Sequence, residues 1–231
     1  MEIINARQVP LDTLKIRGVL FDMDGLVLDT EKLYARFWRE AARFYGYDMT
    51  RAQALTMRGL SNTAGRQMLA AHFGPGIDYD QVRAKRIELM DAYVAREGVE
   101  VKPGIFRLLD ALDAAGIPKA IATSSPVERA QAHLGSVGLA DRFDRIISGR
   151  MVAHGKPEPD IYVYAAQALG REPGECLALE DAPAGIESAW RAGCLATMIP
   201  DQDGPTEEIR GRLFALAEDL GQVTELIKQY G

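Results

Sequence analysis

An apolar run from Ile16 to Phe21 ends at Asp22, and Asp24 and Gly25 follow directly. Such an apolar run predicts a buried strand, and the glycine marks its end. Side chains two residues apart on an extended chain point the same way, so Asp22 and Asp24 should face one pocket at the strand tip. Two crowded carboxylates repel unless a cation, a proton or a division of roles relieves them. The spacing therefore suits a Mg²⁺ site, or a nucleophile beside a general acid/base.

This acidic stretch could also be a plain junction between a strand and a turn, because Asp-x-Asp-Gly occurs by chance at ordinary residue usage. A calcium-binding EF-hand loop is excluded. Such a loop needs glycine at its sixth position and glutamate at its twelfth. Counted from Asp22, Gly25 is fourth and Leu33 is twelfth.

Composition limits the classes of protein to consider. The chain has 231 residues, 47% of them hydrophobic, and a formal net charge of −6. It can therefore bury one large core, or a core with an insertion, and nucleic acid is not the expected partner. No apolar run is long enough to span a bilayer, so we expect no membrane partner. With only Cys176 and Cys194 present, a disulfide framework is not expected, and a reduced, cytoplasmic location fits.

Short apolar runs alternate with helical patterns over most of the chain. This alternation predicts an α/β fold with a Rossmann-like parallel sheet flanked by helices. The predicted strands are 18–21, 119–122, 145–147, 177–179 and 195–199. The helices predicted between and after them are 105–115, 126–137, 160–169, 183–192 and 223–230. Ser125-Pro126-Val127-Glu128 predicts a capping box where the second of these helices begins.

Residues 33–101 interrupt the alternation. Their pattern is helical throughout, at 33–45, 50–57, 62–72 and 79–97. We therefore predict a discontinuous α/β catalytic core, 1–32 and 102–231, and an all-helical cap domain, 33–101, inserted after the first strand. A cap over the strand tips would exclude water and select substrates. The alternative is that these helices only add stability.

Three further motifs follow predicted strands. Thr123-Ser124-Ser125 brings hydroxyls and free N–H groups to a helix start, which suits an anion, although such residues often only cap helices. Lys156 stands in a proline-flanked segment, where it could neutralise a phosphate or an aspartate, or be a solvated loop lysine. Glu180 and Asp181 would complete the oxygen ligands that Mg²⁺ prefers, unless Asp181 is only a helix cap.

All four motifs are expected to meet at one edge of the sheet. In an open α/β sheet, ligands bind in the crevice at the carboxyl ends of the strands. Acids, hydroxyls and a lysine that each follow a strand would therefore line one crevice. Four such motifs are much less expected to meet at one edge by chance than a single one.

With these motifs in this order, the chain beyond Arg17 resembles the haloacid dehalogenase-like hydrolase superfamily. It looks closest to the β-phosphoglucomutase-like branch with a helical cap, of the sugar-phosphate phosphatase type. The resemblance implies that Asp22 is a nucleophile that becomes an aspartyl phosphate. It implies that Asp24 is the general acid/base. Dehalogenases of the superfamily lack an acid at that second position, so Asp24 favours phosphoryl chemistry.

The resemblance also implies the remaining parts of the site. Thr123 and Ser124 would hold the transferring phosphate, and Lys156 would bridge phosphate and nucleophile. The implied cofactor is Mg²⁺, and its ligands would be Asp22, the backbone carbonyl of Asp24, Glu180 and Asp181.

Residues of the cap separate a phosphatase from a mutase. Mutases of this branch carry a histidine twelve residues after the nucleophile, where this chain has Tyr34. They also carry an arginine in a Gly-x-Ser-Arg cap loop, where this chain has Asn62. That arginine grips the second phosphate of a bisphosphate intermediate, so its loss favours water as the acceptor. We predict that Arg58, Asn62 and Tyr34 contact the substrate; Tyr34 and Trp38 could face a sugar ring or pack between cap helices.

The sequence therefore predicts a Mg²⁺-dependent phosphatase for a small phosphorylated metabolite. Sugar phosphates are the leading substrate class by resemblance. A phosphosugar mutase and a non-catalytic regulatory protein on the same fold are the alternatives. We expect a monomer, because members of this branch are often monomeric.

Overall fold

The computed structural model describes residues 1–57, 60, 62–201 and 204–231. These residues divide into two compact units. One unit joins Met1–Leu28 to Glu100–Gly231, and the other is Asp29–Val99. The first unit is an α/β fold and the second is helical.

The α/β unit is built on a seven-stranded sheet with the order β1-β7-β6-β5-β2-β3-β4. The central strands are apolar and almost completely buried, as the sequence predicts for a sheet that is covered by helices. The strands are β1 Glu2–Ile3, β2 Gly18–Phe21, β3 Lys119–Thr123, β4 Arg145–Ser148, β5 Cys176–Glu180, β6 Leu195–Met198 and β7 Ala215–Leu216.

Helices connect the strands in the alternating order that the pattern predicts. The helices of the α/β unit are α5 Ile105–Ala115, α6 Val127–Ser136, α7 Asp160–Ala168, α8 Pro183–Ala192, α9 Glu207–Arg210 and α10 Leu220–Tyr230. Their numbers begin at five because the helices of the helical unit precede them in the chain. Apolar residues of α7 and α8, such as Ile161 and Ile186, pack with Leu20 and Ala178 of the central strands in one buried cluster. Because these helices cover the middle of the central strands with apolar side chains, the polar residues of the strands lie at their ends.

The predicted α/β fold is confirmed, but the sheet differs from the prediction near its β1 edge. The sheet is not wholly parallel, because β1 pairs antiparallel with β7. Neither strand was predicted, since two residues are too short to show an alternation of apolar and polar side chains. The short helix α9 was also missed, because its four residues are too few to show a helical period.

The capping box predicted at Ser125 is wrong. Helix α6 has Pro126 at its N-cap, and no side chain caps it. The Ser125 hydroxyl instead donates to the Asp24 carboxylate, which is distant in sequence. A local sequence pattern cannot reveal such a partner.

The helical unit contains α1 Glu31–Phe44, α2 Arg51–Leu55, α3 Asn62–Phe73 and α4 Tyr79–Glu97. Helix α1 buries one face, with Trp38, Ala41 and Ala42 in an apolar cluster that Tyr79 and Val82 of α4 share. Thr50 caps α2 with the full reciprocal capping box. This amphipathic packing accounts for the helical pattern in the sequence.

Two further predictions concern the chain as a whole. Among the described residues, no helix has the length and apolar character needed to cross a membrane. Cys176 and Cys194 are both free thiols in the buried core of the α/β unit. Burial raises the pKa of each thiol above its ordinary value, so both behave as small apolar side chains.

Candidate active site

The tip of β2 carries the paired aspartates. The Asp22 N–H donates to the Leu179 carbonyl at 3.0 Å, which ties this tip to the neighbouring strand β5. Asp22 is 9% exposed, whereas Asp24 is half-buried. Gly25 has φ of +91°, a left-handed conformation that side-chain-bearing residues rarely adopt. Glycine there lets the chain turn at once, so both aspartates stay at the carboxyl edge of the sheet.

Lys156 binds the nucleophile candidate directly. Its Nζ donates to Asp22 Oδ1 at 2.5 Å, to Glu180 Oε1 at 2.6 Å and to the Ala122 carbonyl at 2.9 Å. An ammonium group has three hydrogens, so these three acceptors use its whole donor capacity. The lysine side chain is only 9% exposed, which excludes the alternative of a solvated loop lysine.

The buried charges shift one another's titration. Burial raises the pKa of Asp22 to about 8; the Lys156 ammonium opposes that rise and the Glu180 carboxylate adds to it. Burial by itself lowers the pKa of Lys156, but the carboxylates of Asp22 and Glu180 outweigh it and hold this pKa above the ordinary value. The lysine therefore stays a cation, and the site carries an excess of carboxylates that a second cation would relieve.

Glu180 is held from three sides. Tyr162 on α7 donates its hydroxyl to Glu180 Oε1 at 2.5 Å, beside the bond from Lys156. Gly185 on α8 packs so closely that a Cβ there would lie 1.9 Å from the glutamate Cδ. Glu180 is 1% exposed. Its carboxylate is therefore confined to one position at the tip of β5.

The hydroxyl motif follows β3, directly beside β2. Thr123 is buried and Ser124 is exposed. The Ser125 N–H donates to Thr123 Oγ1 at 3.0 Å, and the Ser125 hydroxyl donates to Asp24 Oδ2 at 3.1 Å. The motif is thus joined to the aspartate pair by a side-chain hydrogen bond.

Three carboxylates of the site suit a divalent cation. Oxygen atoms of Asp22, Glu180 and Asp181 lie within 4.8 Å of one another. Helix α8 has Ala182 as its N-cap, so Asp181 is not a helix cap. Carboxylate oxygens are the hard ligands that Mg²⁺ takes in proteins, and the donor set fits that ion.

The structure thus brings together Asp22, Asp24, Lys156, Glu180 and Asp181, with the Thr123–Ser125 motif bonded to Asp24.

The residues predicted to contact substrate from the cap belong to the helical unit. Tyr34 is partly exposed, and the Arg86 guanidinium lies over its ring at 4.5 Å. Trp38 is buried, and its ring centroid is 5.8 Å from that of Tyr79, so it packs between cap helices. Asn62 begins α3 and accepts a hydrogen bond from the Tyr79 hydroxyl at 3.4 Å. Arg58 lies outside the described residues, and the substrate contacts of Arg58, Asn62 and Tyr34 stay predictions.

Two residues of the site were missed from the sequence. Tyr162 lies in an apolar helix stretch and looks like a core aromatic, but a buried phenol needs a hydrogen-bond partner, and this requirement is the signal that was available. Ser125 was interpreted as a helix cap. Nothing in the sequence indicates that its partner is Asp24, since 101 residues separate the two.

The fold and site define an α/β protein with paired aspartates at the tip of a central strand. A family model described as haloacid dehalogenase-like hydrolase matches residues 16–193. The chain belongs to the haloacid dehalogenase-like hydrolases, as its motifs predict.

Relatives of known name give this membership more detail. The chain is 36% identical to hexitol phosphatase A of Escherichia coli over 183 residues, which are 78% of this chain and 82% of that protein. It is 30% identical to the phosphorylated carbohydrates phosphatase of Thermotoga maritima over 178 residues, covering 77% of this chain and 82% of the relative. Both relatives are named as phosphatases.

Solved structures agree on the fold. CbbY from Rhodobacter sphaeroides, in complex with phosphate, matches with a TM-score of 0.74 at 27% identity, covering 90% of this chain and 96% of that one. β-Phosphoglucomutase from Clostridium difficile matches with a TM-score of 0.72, covering 93% of this chain and 97% of the other. The second match has 21% identity and shows the shared fold alone.

Proposed function

We propose that this hydrolase is a Mg²⁺-dependent phosphatase that acts on a small phosphorylated metabolite, with sugar phosphates as the substrate class. The observation that carries the proposal is the buried Asp22 carboxylate, which is ion-paired to Lys156 at 2.5 Å and grouped with two more carboxylates that suit a metal. Phosphoryl transfer requires in-line positioning and charge neutralisation above all. This cluster offers both beside a nucleophile.

In the first step of the proposed reaction, an Asp22 oxygen attacks the phosphorus of the substrate. The new oxygen–phosphorus bond forms as the bond from phosphorus to the leaving oxygen breaks. Asp24 gives its proton to that leaving oxygen, so the sugar departs as a neutral alcohol. In the second step a water attacks the phosphorus and passes a proton to Asp24. The bond to Asp22 breaks, and both aspartates return to their starting state.

The surrounding residues have complementary roles in this proposal. Lys156 neutralises charge on Asp22 and on the phosphate from a fixed position. Thr123 and Ser124, at the end of β3, hold the oxygens of the transferring phosphate. Because these groups are already oriented, little reorganisation is needed when charge develops in the transition state.

The metal would be held by Asp22, the backbone carbonyl of Asp24, Glu180 and Asp181. When bound, Mg²⁺ supplies positive charge that offsets the repulsion between the phosphate and the nucleophile. Glu180 is prepared for this task by Tyr162 and Gly185, which confine its carboxylate. Its confinement reduces the cost of ordering the metal ligands.

Sugar phosphates are proposed as substrates because named relatives act on phosphorylated hexitols and carbohydrates. Mutases of the β-phosphoglucomutase-like branch, which the sequence resembles, have a histidine at the position of Tyr34 and an arginine at that of Asn62. Water is therefore the proposed phosphoryl acceptor, in preference to a second sugar hydroxyl.

The test is phosphate release from a panel of sugar and sugar-alcohol phosphates, including sorbitol 6-phosphate, assayed with Mg²⁺ and with EDTA. We expect release with Mg²⁺ and none with EDTA. Conversion of a sugar 1-phosphate to its isomer without net release would favour a mutase. A folded protein that transforms no member of the panel would contradict both enzymatic functions.

A further inference from the structure

We propose that Ser125 is a positioning residue that orients the Asp24 carboxylate for proton transfer to the leaving oxygen. The inference rests on the proposed phosphatase function and adds a residue to its machinery. It concerns the α/β unit alone, where both side chains lie.

The first observation is the hydrogen bond between the two side chains. Ser125 Oγ donates to Asp24 Oδ2 at 3.1 Å, slightly beyond the range of about 2.5–3.0 Å that is usual for a hydroxyl donor. Ser125 is 8% exposed, so water competes little for the hydroxyl. A donor held in a fixed position on one oxygen restricts the rotation of a carboxylate about its side-chain bonds.

The second observation is that Ser125 is itself held in place. Its N–H donates to Thr123 Oγ1 at 3.0 Å, and its carbonyl accepts from the buried Ser148 hydroxyl at 2.7 Å. Gly149 lies against the same turn, where an added Cβ would be 3.5 Å from Ser124 Cα. The serine is thus anchored to strands β3 and β4, next to the proposed phosphate site.

The third observation is that Ser125 does not cap helix α6. A serine just before a helix usually accepts from the first free N–H groups of that helix. Helix α6 has Pro126 as its N-cap and no side-chain cap hydrogen bond. The hydroxyl is therefore committed to Asp24 rather than to the local helix.

In this proposal, the hydrogen bond from Ser125 determines which oxygen of Asp24 carries the proton that is transferred. When Asp24 is protonated, a donor on Oδ2 favours the proton on Oδ1. In the first step, Oδ1 would give that proton to the leaving oxygen as the bond from that oxygen to phosphorus breaks. Ser125 keeps its own proton throughout and touches no reacting atom.

The test compares two leaving groups. An alkoxide leaving group needs the proton from Asp24, whereas p-nitrophenolate is a weak base and departs without one. We would measure kcat/KM for the sugar phosphate of the panel that is hydrolysed fastest, and for p-nitrophenyl phosphate. For Ser125→Ala we expect the ratio of the sugar value to the aryl value to fall about tenfold or more, in keeping with the weight of a hydrogen bond to a charged group.

Control variants separate positioning from a structural effect. Ser125→Thr keeps the hydroxyl and is expected to restore much of the ratio. Ser188→Ala removes another buried hydroxyl, which donates to the Glu158 carbonyl at 2.6 Å, and should leave the ratio unchanged. If Ser125→Ala does not fold, Ser148→Ala is used instead. It removes the bond to the Ser125 carbonyl, together with the bond that Ser148 Oγ accepts from the Arg150 N–H at 3.2 Å. Neither bond involves Asp24, so we expect a smaller fall in the same ratio.

An equal loss on both esters in the folded variant, or no loss on either, would overturn the role of Ser125 while leaving the phosphatase intact. A wild-type protein that releases phosphate from neither ester would overturn the proposed function, and this inference with it.

Discussion

The hydroxyl of Tyr162 should be worth a measurable part of the stability of the α/β unit. Tyr162 is fully buried and donates to Glu180 Oε1 at 2.5 Å. Burial, with the carboxylates of Glu180 and Asp22, holds the pKa of the phenol well above its ordinary value. The hydroxyl therefore remains a donor across the pH range of ordinary assays. Tyr162→Phe removes this single oxygen and keeps the ring.

The size of the effect follows from what remains. A hydrogen bond to a charged group contributes about 1.5–3 kcal/mol. After the substitution Glu180 Oε1 still accepts from Lys156 at 2.6 Å, so no acceptor is left without a donor. The loss should therefore lie near the lower limit, about 1.5–2 kcal/mol. For a chain of this size that corresponds to a Tm lower by about 3–8 °C.

Urea unfolding followed by circular dichroism measures the difference, with thermal melts as a second readout. The matched control is Tyr164→Phe on the same helix, because the Tyr164 side chain is 44% exposed. The control should change stability by less than about 0.5 kcal/mol. Equal stability of Tyr162→Phe and the wild type, or an equal loss in the control, would refute the reasoning.

Three further changes test the site. Lys156→Met leaves two buried carboxylates without their cation, so we expect a loss of about 3–5 kcal/mol in urea unfolding, against no significant change for Lys15→Met on the surface. Gly185→Ala places a methyl group into Glu180 and should weaken Mg²⁺ binding in calorimetric titrations, whereas Gly135→Ala, where an added Cβ meets nothing within 4 Å, should leave binding as it is. The pKa of Asp22 is about 8 without metal, so below pH 8 a proton competes with Mg²⁺ for this carboxylate. The apparent Mg²⁺ affinity should therefore fall as the pH is lowered from 8 to 6, by up to about tenfold per pH unit. An affinity that does not change with pH would contradict this assignment, and Asp22→Asn should bind weakly without the pH dependence.

The sequence was a good guide wherever one local pattern decides the structure. The run that ends at Asp22 predicts a strand with its aspartates at the tip, and β2 has the predicted limits, Gly18–Phe21. The sequence likewise places Lys156 in a segment before a helix and Glu180 at the tip of a strand. In the structure, Lys156 precedes α7 and Glu180 is the last residue of β5. Parallel strands bring such junctions to one edge, so their convergence follows from the fold class.

The parts that escaped prediction depend on partners distant in the chain. Ser125 has a normal capping sequence after it, yet its hydroxyl is used by Asp24. Tyr162 has the surroundings of a core aromatic, and only the position of Glu180 in space gives its hydroxyl a function. The two-residue strand β7 forms by pairing with β6 and β1, and β1 forms by pairing with β7 at the edge of the sheet. Neither segment carries this information in its own sequence.

The central claim is that Asp22 receives the phosphoryl group. The most direct measurement mixes the enzyme and Mg²⁺ with its fastest sugar phosphate, quenches the reaction in acid within one turnover, and locates phosphate on the protein by mass spectrometry. We predict one phosphoryl group on the peptide that contains Asp22, and neither this adduct nor phosphate release in Asp22→Asn. Phosphate release by Asp22→Asn at the wild-type rate, with no adduct in either protein, would contradict the account.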